Sequence, residues 1–300
     1  MKNLLISISG PTAIGKTISS IHLAQEINSD IISFDSRQFY KEMSIGTAVP
    51  MDYELNQAKH HFIQHKSVHD DYNISEFSND ATLLINKLFK KNKYIVLVGG
   101  SYLYLKSILY GIDKLPTVPS SVRDELLLKF KNNGIQYLQN KLKSLDKDYY
   151  KKVDLMNHRR LIRALEICMY TKKPFSSYLK NNIKKKYNHI SISLNMDREK
   201  LYKKINNRVD HMVSTGLIEE ARSLHVFRHL KPLNTIGYKE LFNYFEGSYS
   251  KEKAIDEIKM NSRRFAKKQI TWLNNNDNHN WVDPSLPVDT LINKLTQIIR

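Results

Sequence analysis

Residues 10–17 read GPTAIGKT, a segment bounded by two glycines that ends in lysine and threonine. An apolar run from Leu4 to Ser9 precedes it, and apolar residues at helical spacing follow it from Ile18 to Ile27. A strand, a tight loop and a helix in this order direct successive backbone N–H groups at one point, which favours phosphate binding. The pattern G-x-x-x-x-G-K-[ST] further predicts that Lys16 neutralises phosphate oxygens and that the Thr17 hydroxyl ligates Mg²⁺.

Further short β-branched runs indicate a parallel sheet. Asp30–Phe34 and Tyr94–Val98 each end in a loop signal and are separated by helical patterns, and apolar alternation returns at His189–Met196. Strands that alternate with helices form a parallel sheet that is covered on both faces. Because the phosphate loop follows the first strand, the predicted fold class is α/β, with a P-loop NTPase-like parallel sheet flanked by helices.

The hydrophobic period changes in the middle of the chain. From Ser120 to about Tyr178 it is helical, without a convincing strand, so we expect an inserted all-helical domain at residues 117–187. Residues 1–116 and 188–300 then form the α/β core. Its C-terminal helices include a long one from about Ser250 to Leu273.

The chain is strongly basic, with 47 Lys and Arg residues against 30 Asp and Glu residues and a formal net charge of +17. This excess predicts a polyanionic partner. We expect no membrane association, because the sequence has no lipidation motif, no strongly basic amphipathic helix at either end and no run of about 18 apolar residues. The N-terminal apolar run is too short for a secretion signal, and the single cysteine, Cys168, is typical of a reducing compartment, so we expect a cytoplasmic protein.

Two polar residues follow predicted strands at the sheet edge where open α/β folds bind ligands. Asp35 directly follows the run Asp30–Phe34. Its carboxylate could hold Mg²⁺ or accept a proton, and the structural alternative is that it caps a turn or a helix. Ser101 follows Val98–Gly100, and its hydroxyl either binds a ligand or caps the next helix. The two glycines before Ser101 allow the backbone to approach a ligand closely.

Four groups of residues permit both a functional and a structural interpretation. Arg159 and Arg163 share one helix face, which suits phosphate contacts as well as a solvated surface, and the same holds for the basic residues of 263–268. The four histidines of His60–His69 lack a nearby cysteine and an HExxH pattern, so a polar surface or substrate-facing segment is favoured over zinc. Two interpretations remain for the rings of Tyr40, Tyr102 and Tyr104: they stack on a base, or they pack in the core.

Five segments carry the most specific information. They are GPTAIGKT at 10–17, DSRQFYKEMSIGTAVP at 35–50, VGGSYLYLKSILYGI at 98–112, NHRRLIRALEI at 157–167 and SRRFAKKQITWL at 262–273. In this order they closely resemble the bacterial tRNA dimethylallyltransferase family over nearly the whole chain. The phosphate loop alone is generic, whereas the DSxQxYxxMxIGTAxP block and the terminal KKQITWL are highly specific.

The resemblance implies transfer of a dimethylallyl group from dimethylallyl diphosphate to the exocyclic amino group of the adenosine immediately 3′ of a tRNA anticodon. It implies a monomer whose partners are the tRNA anticodon stem-loop and dimethylallyl diphosphate. The residues implied in the transfer are Asp35 as general base, Ser101 as a group that positions the adenine and Lys16 as a stabiliser of the leaving group. The donor diphosphate, together with Mg²⁺, is then expected to bind at Gly10, Pro11, Thr12, Ala13, Ile14, Gly15, Lys16 and Thr17.

The same resemblance implies where tRNA binds. The inserted helical domain is expected to hold the anticodon stem-loop, with the adenosine flipped out of the loop. Ser101 stands where the family commonly has threonine, and Gln64 stands where it often has an acidic residue. The implied tRNA contacts are Asp35, Ser36, Arg37, Gln38, Ser101, Arg123, Arg159, Arg160, Leu161, Ile162, Arg163, Asn234, Thr235, Ile236, Gly237, Tyr238 and Lys239.

Two other functions remain open from the residues alone. A P-loop kinase of small molecules or nucleosides accounts for the phosphate loop and Asp35, but it does not need a charge of +17. A non-catalytic RNA-binding module accounts for the charge, but it leaves the phosphate loop unexplained.

Overall fold

A parallel sheet forms the centre of the computed structural model, which describes residues 3–179, 185–276 and 279–299. Its strands are β1 (Leu4–Ser9), β2 (Ile31–Ser33), β3 (His60–His61), β4 (Tyr94–Gly99), β5 (Asn188–Leu194) and β6 (Asn280–Val282). They pair in the order β3-β2-β4-β1-β5-β6, and every pairing is parallel. The strands that the sequence predicts are confirmed, whereas β3 and β6 are too short to show an alternating pattern.

Helices account for most of the other described residues. They are α1 (Lys16–Glu26), α2 (Asp52–Leu55), α3 (Ile74–Leu88), α4 (Tyr102–Tyr110), α5 (Ser120–Leu145), α6 (Lys147–Tyr150), α7 (His158–Thr171), α8 (Arg198–Ser214), α9 (Leu217–Leu224), α10 (Tyr238–Phe245), α11 (Lys251–Asn274) and α12 (Val288–Ile299). The predicted α/β fold, a parallel sheet flanked by helices, is thereby confirmed. In the part of the chain that the structure describes, no helix is both long and apolar enough to cross a membrane.

The chain divides into two compact units. One comprises Met1–Tyr110 together with Lys185–Arg300 and contains the sheet. The other, Gly111–Lys184, contains α5, α6 and α7, and its described residues form helices and connecting loops only. The sequence-based domain boundaries lie at 117 and 187, and residues 180–184 near the second of them lie outside the described residues.

Apolar residues on both faces of the sheet hold the first unit together. Along β1, Leu5 belongs to one buried cluster, whereas Ile6 and Ile8 belong to another. Along β4, Leu97 belongs to the first cluster and Val96 to the second. Since successive side chains of a strand point to opposite faces, this alternation buries the sheet on both sides, and only its edges remain for binding.

A glycine interrupts the long helix of the second unit. Gly134 has φ 68° and ψ −172° inside α5, which is the left-handed region that only glycine adopts without strain. The core of this unit consists of side chains from α5, α7 and the turn at Phe175–Tyr178. Its fully buried members include Leu126, Leu138, Leu142, Leu161 and Leu165.

A line of buried polar side chains joins β1 to β5 and to the residue that precedes β6. Register places Ser7 opposite Ser191, and the Nε2 atom of His189 lies 2.9 Å from the Ser7 hydroxyl. The Nδ1 atom of His279 lies 2.7 Å from the Ser191 hydroxyl and 2.9 Å from that of Ser193. Burial, with smaller contributions from Lys185 and His279, lowers the pKa of His189 to about 3.

Stability should therefore decrease below pH 6.5. The unfolded chain binds a proton on His189 as pH falls through about 6.5, whereas the folded chain does not bind it until about pH 3, so acid favours unfolding by up to about 1.4 kcal/mol per pH unit. In urea unfolding at pH 7, 6 and 5, His189→Asn should lose stability less steeply than the wild type. His229→Asn, which removes an exposed histidine, is the control and should lose stability as steeply as the wild type. Equal slopes for wild type and His189→Asn would contradict this assignment.

Candidate active site

The loop between β1 and α1 has the shape of a phosphate-binding loop. Ala13 and Gly15 adopt φ 64° and φ 108°, which turns the chain sharply before the helix begins at Lys16. The Lys16 ammonium donates to the carbonyl oxygens of Gly10 (3.1 Å) and Pro11 (2.8 Å). These contacts hold the lysine over the loop, where a bound phosphate would replace them with charged oxygens.

Three cations surround one carboxylate beside this loop. Burial lowers the pKa of Lys16 to about 8, and it also lowers the pKa values of Arg37 and Arg208. In all three cases the charge of Asp35 opposes the effect of burial. Glu240 also acts on Arg37. Because the positive groups still outnumber the carboxylates in a poorly hydrated site, a polyanionic ligand is favoured there.

Asp35 and Ser101 lie on loops that leave neighbouring strands, β2 and β4. The Asp35 carboxylate accepts from the Arg37 N–H at 3.2 Å, so it closes a turn and at the same time lines a cavity. The Ser36 N–H lies 3.3 Å from the Ser101 hydroxyl oxygen, and the two hydroxyls are 3.2 Å apart. The sheet therefore brings the two predicted polar residues to one edge.

A cavity of about 780 Å³ unites the predicted groups. Its wall includes the phosphate loop from Thr12 to Thr17, and it also includes Asp35, Gln38, Ser101, Arg208 and Gln269. The wall is both apolar and polar, as expected for a pocket that binds an organic diphosphate. Gly10 and Pro11 contribute carbonyl contacts to Lys16 behind it.

Sequence reasoning missed Arg208 on α8. Its guanidinium donates a short hydrogen bond to the Thr12 hydroxyl, and its Nε atom is buried without a partner among the described residues. The helix buries Leu201, Ile205 and Met212, and Arg208 falls at the same helical spacing. A basic residue on an apolar helix face is the signal that predicts such a site.

Gln269 on α11, inside the KKQITWL segment, was also missed as a site residue. It is buried, its Oε1 atom accepts from the Thr12 N–H at 2.8 Å, and its Nε2 atom donates to the Gly100 carbonyl at 3.1 Å. One amide thus joins the phosphate loop to the loop after β4. Side chains at Gly99 and Gly100 would collide with Phe34 and Gln269, so the packing of the protein itself already requires glycine at both positions. The close approach of this backbone to a ligand stays a prediction.

Comparisons with known proteins agree with this arrangement. The family model for IPP transferase matches residues 38–276. A tRNA dimethylallyltransferase from Christiangramia forsetii is 52% identical over 284 residues, which cover 94% of each chain. The solved tRNA isopentenylpyrophosphate transferase from Bacillus halodurans has a TM-score of 0.73 and 36% identity, over 99% of this chain and 98% of that one.

The chain belongs to the tRNA dimethylallyltransferase family. A solved eukaryotic dimethylallyltransferase acting on tRNA shares the fold, with a TM-score of 0.74 and 26% identity over 90% of this chain and 70% of that one. The resemblance inferred from the five segments is confirmed. The kinase alternative, which rested on the phosphate loop and Asp35, has no support among these relatives.

Within the helical unit, the implied tRNA contacts divide into exposed and buried residues. Arg159 and Arg160 are exposed in the first turn of α7 and are available to a polyanion. Leu161 and Ile162 are buried in the helical core. The prediction that they contact tRNA is wrong for their side chains, because the amphipathic helix turns these positions inward.

Arg123 and Arg163 share a buried carboxylate. Their Nη1 atoms lie 3.3 Å and 3.1 Å from the two oxygens of Glu166, whose side chain is only 3% exposed. About half of each arginine side chain remains exposed. The two residues therefore neutralise a buried charge, and their contribution to tRNA binding stays a prediction.

The segment 234–239 also separates into two kinds of residue. Asn234 and Lys239 are exposed, and Ile236–Gly237 lines the cavity. Thr235 and Tyr238 are buried, and the Tyr238 hydroxyl donates to Glu220. The expectation that the Thr235 and Tyr238 side chains contact tRNA is wrong, since Thr235 is only 7% exposed and Tyr238 is fully buried.

The histidines of His60–His69 each have their own environment. His60 contacts the Ala58 carbonyl at 2.7 Å, and His61 lies 2.7 Å from Asp30. His65 packs among the aromatic rings of the first unit, and burial lowers its pKa to about 4. His60 also lines the cavity, so the interpretation of this segment as polar and substrate-facing stays a prediction.

The three tyrosines near the site pack within the protein. The Tyr102 ring stacks on Trp272, with centroids 4.1 Å apart and an angle of 3° between the planes. Tyr104 contacts Phe39 and Phe77 edge-on, and Tyr40 is buried in the same cluster. Core packing, rather than stacking on a base, accounts for them.

Loss of Gln269 should weaken diphosphate binding. In Gln269→Leu, the Thr12 N–H and the Gly100 carbonyl both lose a buried partner, which should lower the unfolding free energy by about 1–3 kcal/mol. We also expect a smaller rise in melting temperature on addition of pyrophosphate, because the phosphate loop is less well held. Asn274→Leu removes an exposed amide from the same helix and is the matched control. An unchanged response of Gln269→Leu to pyrophosphate would show that the bridge is not needed.

Proposed function

We propose that this protein transfers a dimethylallyl group from dimethylallyl diphosphate to the exocyclic amino group of the adenosine immediately 3′ of the anticodon in tRNA. The observation that carries the proposal is one cavity in which a phosphate-binding loop and Asp35 lie together. The loop and its cations suit the diphosphate of the donor. The carboxylate suits an amine that loses a proton.

The amine nitrogen attacks the allylic carbon of the donor, a carbon–nitrogen bond forms, and the bond between that carbon and the diphosphate oxygen breaks. Pyrophosphate leaves with the electron pair. Lys16, Arg208 and the N–H groups of the phosphate loop are the donors available to stabilise its charge. The proton of the amine passes to the Asp35 carboxylate, which acts as general base, and Ser101 helps to position the adenine.

Mg²⁺ fits the oxygen groups of this cavity. The Thr17 hydroxyl and the Asp35 carboxylate both line it, and Mg²⁺ prefers oxygen ligands, several of which are usually waters and substrate phosphates. Among residues 3–179, 185–276 and 279–299, no group of three or more His, Cys, Asp or Glu side chains is arranged to hold a metal. Thr17 would therefore hold Mg²⁺ together with the diphosphate, and the ion when bound would supply positive charge beside the leaving group.

RNA as the acceptor accords with the charge of the chain. A net charge of +17 favours a polyanion, and Arg159 and Arg160 offer exposed guanidinium groups on the helical unit. An adenine in the anticodon loop unstacks at lower cost than one in a duplex, so it is able to enter a cavity at the sheet edge. The proposal includes a cytoplasmic location and action as a monomer on the anticodon stem-loop.

The decisive experiment incubates the purified protein with Mg²⁺, dimethylallyl diphosphate and unmodified tRNA. The tRNA is then digested, and its nucleosides are analysed by mass spectrometry. We expect an adenosine heavier by one dimethylallyl group less one hydrogen. ATP consumption without a prenylated nucleoside would support the kinase instead.

Asp35→Asn should bind tRNA as the wild type does but lose turnover by at least about 100-fold, because an amide does not accept the amine proton. Single-turnover rates and tRNA affinity are measured in parallel. Asp71→Asn removes an exposed carboxylate, 90% accessible, and should leave both unchanged. Unchanged turnover in Asp35→Asn would remove this residue from the mechanism.

Arg159→Ala should weaken tRNA binding and lower the slope of log affinity against log salt by about 0.7–0.9, which corresponds to one phosphate contact. Arg163→Ala should in addition lower the melting temperature, because Glu166 then stays buried with one partner fewer. Lys251→Ala, an exposed change in the other unit, is the control. If Arg159→Ala leaves the slope of log affinity against log salt unchanged, this arginine lies on a solvated surface and does not contact RNA.

A further inference from the structure

Three successive backbone N–H groups in the SIGTA segment converge on one carboxylate. Ser44 and Ile45 donate to Oε2 of Glu220 at 2.9 Å and 2.8 Å, and Gly46 donates to Oε1 at 2.9 Å. Consecutive N–H groups that point the same way form an anion-binding concavity. Here a side chain from α9, more than 170 residues further along the chain, occupies it.

A fourth donor and a tight contact complete this arrangement. The hydroxyl of the fully buried Tyr238 donates to Oε1 of Glu220 at 2.6 Å. A side chain at Gly46 would come within 2.6 Å of the Tyr238 ring. Tyr238 and Glu220 thus fix the backbone of the loop from two directions.

The loop in turn determines what Gln38 offers to a ligand. The Gln38 amide nitrogen donates to the carbonyls of Thr47 (3.3 Å) and Ala48 (2.8 Å), which uses both of its hydrogens. Ala48 is in the left-handed region, with φ 51°, so the carbonyl positions depend on this one backbone shape. Only the Gln38 oxygen, an acceptor, remains free to meet a ligand, and both Gln38 and the loop line the cavity.

Gln64 supports the same loop from another side. Its amide nitrogen donates to the Lys41 carbonyl at 3.1 Å and lies 2.6 Å from the Ser44 hydroxyl. A carboxylate at this position would have no hydrogen to donate to the Lys41 carbonyl, so the amide of glutamine suits this contact.

We propose that Glu220 is a positioning residue for the transfer: it occupies the anion site of Ser44–Gly46 and thereby holds Gln38 in the orientation that receives the acceptor nucleoside. The proposal rests on the proposed function. Glu220 acts on the acceptor side, because the phosphate loop is held by other residues, Gln269 and Arg208. Its loss should therefore slow transfer and leave diphosphate binding unchanged.

The test compares Glu220→Ala with Glu219→Ala, which removes the same group from the neighbouring exposed position. In single-turnover reactions at saturating dimethylallyl diphosphate and tRNA, Glu220→Ala should be about 10- to 100-fold slower, the usual result of misplacement by about 1 Å. Its affinity for dimethylallyl diphosphate should stay within about twofold of wild type. Sodium formate should restore part of the rate, because formate refills the vacated site, whereas sodium chloride at equal ionic strength should not.

Several outcomes would overturn the proposal. One is a transfer rate for Glu220→Ala within about twofold of wild type. Another is a slow Glu220→Ala that formate does not accelerate, because such a variant would have lost structure generally. If Glu220→Ala fails to fold, Glu220→Gln answers the same question. The amide hydrogens of the glutamine would face the N–H donors of the loop, so this variant should fold but transfer slowly. A wild type without transferase activity overturns the proposed function as well, whereas an active wild type with an equally active Glu220→Ala overturns this proposal alone.

Discussion

Asp35 lies among three buried or half-buried cations, and the rest of the site depends on that imbalance of charge. Burial lowers the pKa values of Lys16, Arg37 and Arg208, and the charge of Asp35 opposes this effect in all three, with Glu240 also acting on Arg37. A polyanionic ligand would supply the negative charge that the protein lacks there.

Polar contacts between distant segments hold this charged cluster in place. Gln269 joins the phosphate loop to the loop after β4, and the Ser36–Ser101 contact joins the loops after β2 and β4. Each bridge connects backbone or hydroxyl groups that would otherwise be buried without partners. Contacts within the protein therefore define the shape of the phosphate loop, and such preorganisation reduces the cost of binding a ligand.

The 44–48 loop, on another part of the cavity wall, is supported separately. Glu220 accepts from the backbone N–H groups of residues 44–46, and the Gln38 amide nitrogen donates to the carbonyls of Thr47 and Ala48. The two halves of the cavity thus rely on different side chains, Gln269 and Arg208 on one side and Glu220 on the other. This separation permits one half to be altered while the other remains intact.

Sequence alone determined the elements that follow from short-range patterns of residues. These are the strand, loop and helix around Lys16, the buried runs of β2 and β4, and the helical character of the inserted segment. It also placed Asp35 and Ser101 at the sheet edge, because parallel strands end on the same side. The misplaced expectations at Leu161 and Tyr238 arose because a motif combines residues that bind with residues that only pack. Only the tertiary structure decided the roles of Arg208, Glu220 and Gln269. A side-chain hydrogen bond to backbone 170 or more residues away leaves no period in the sequence, since it depends on where the whole chain brings two segments together.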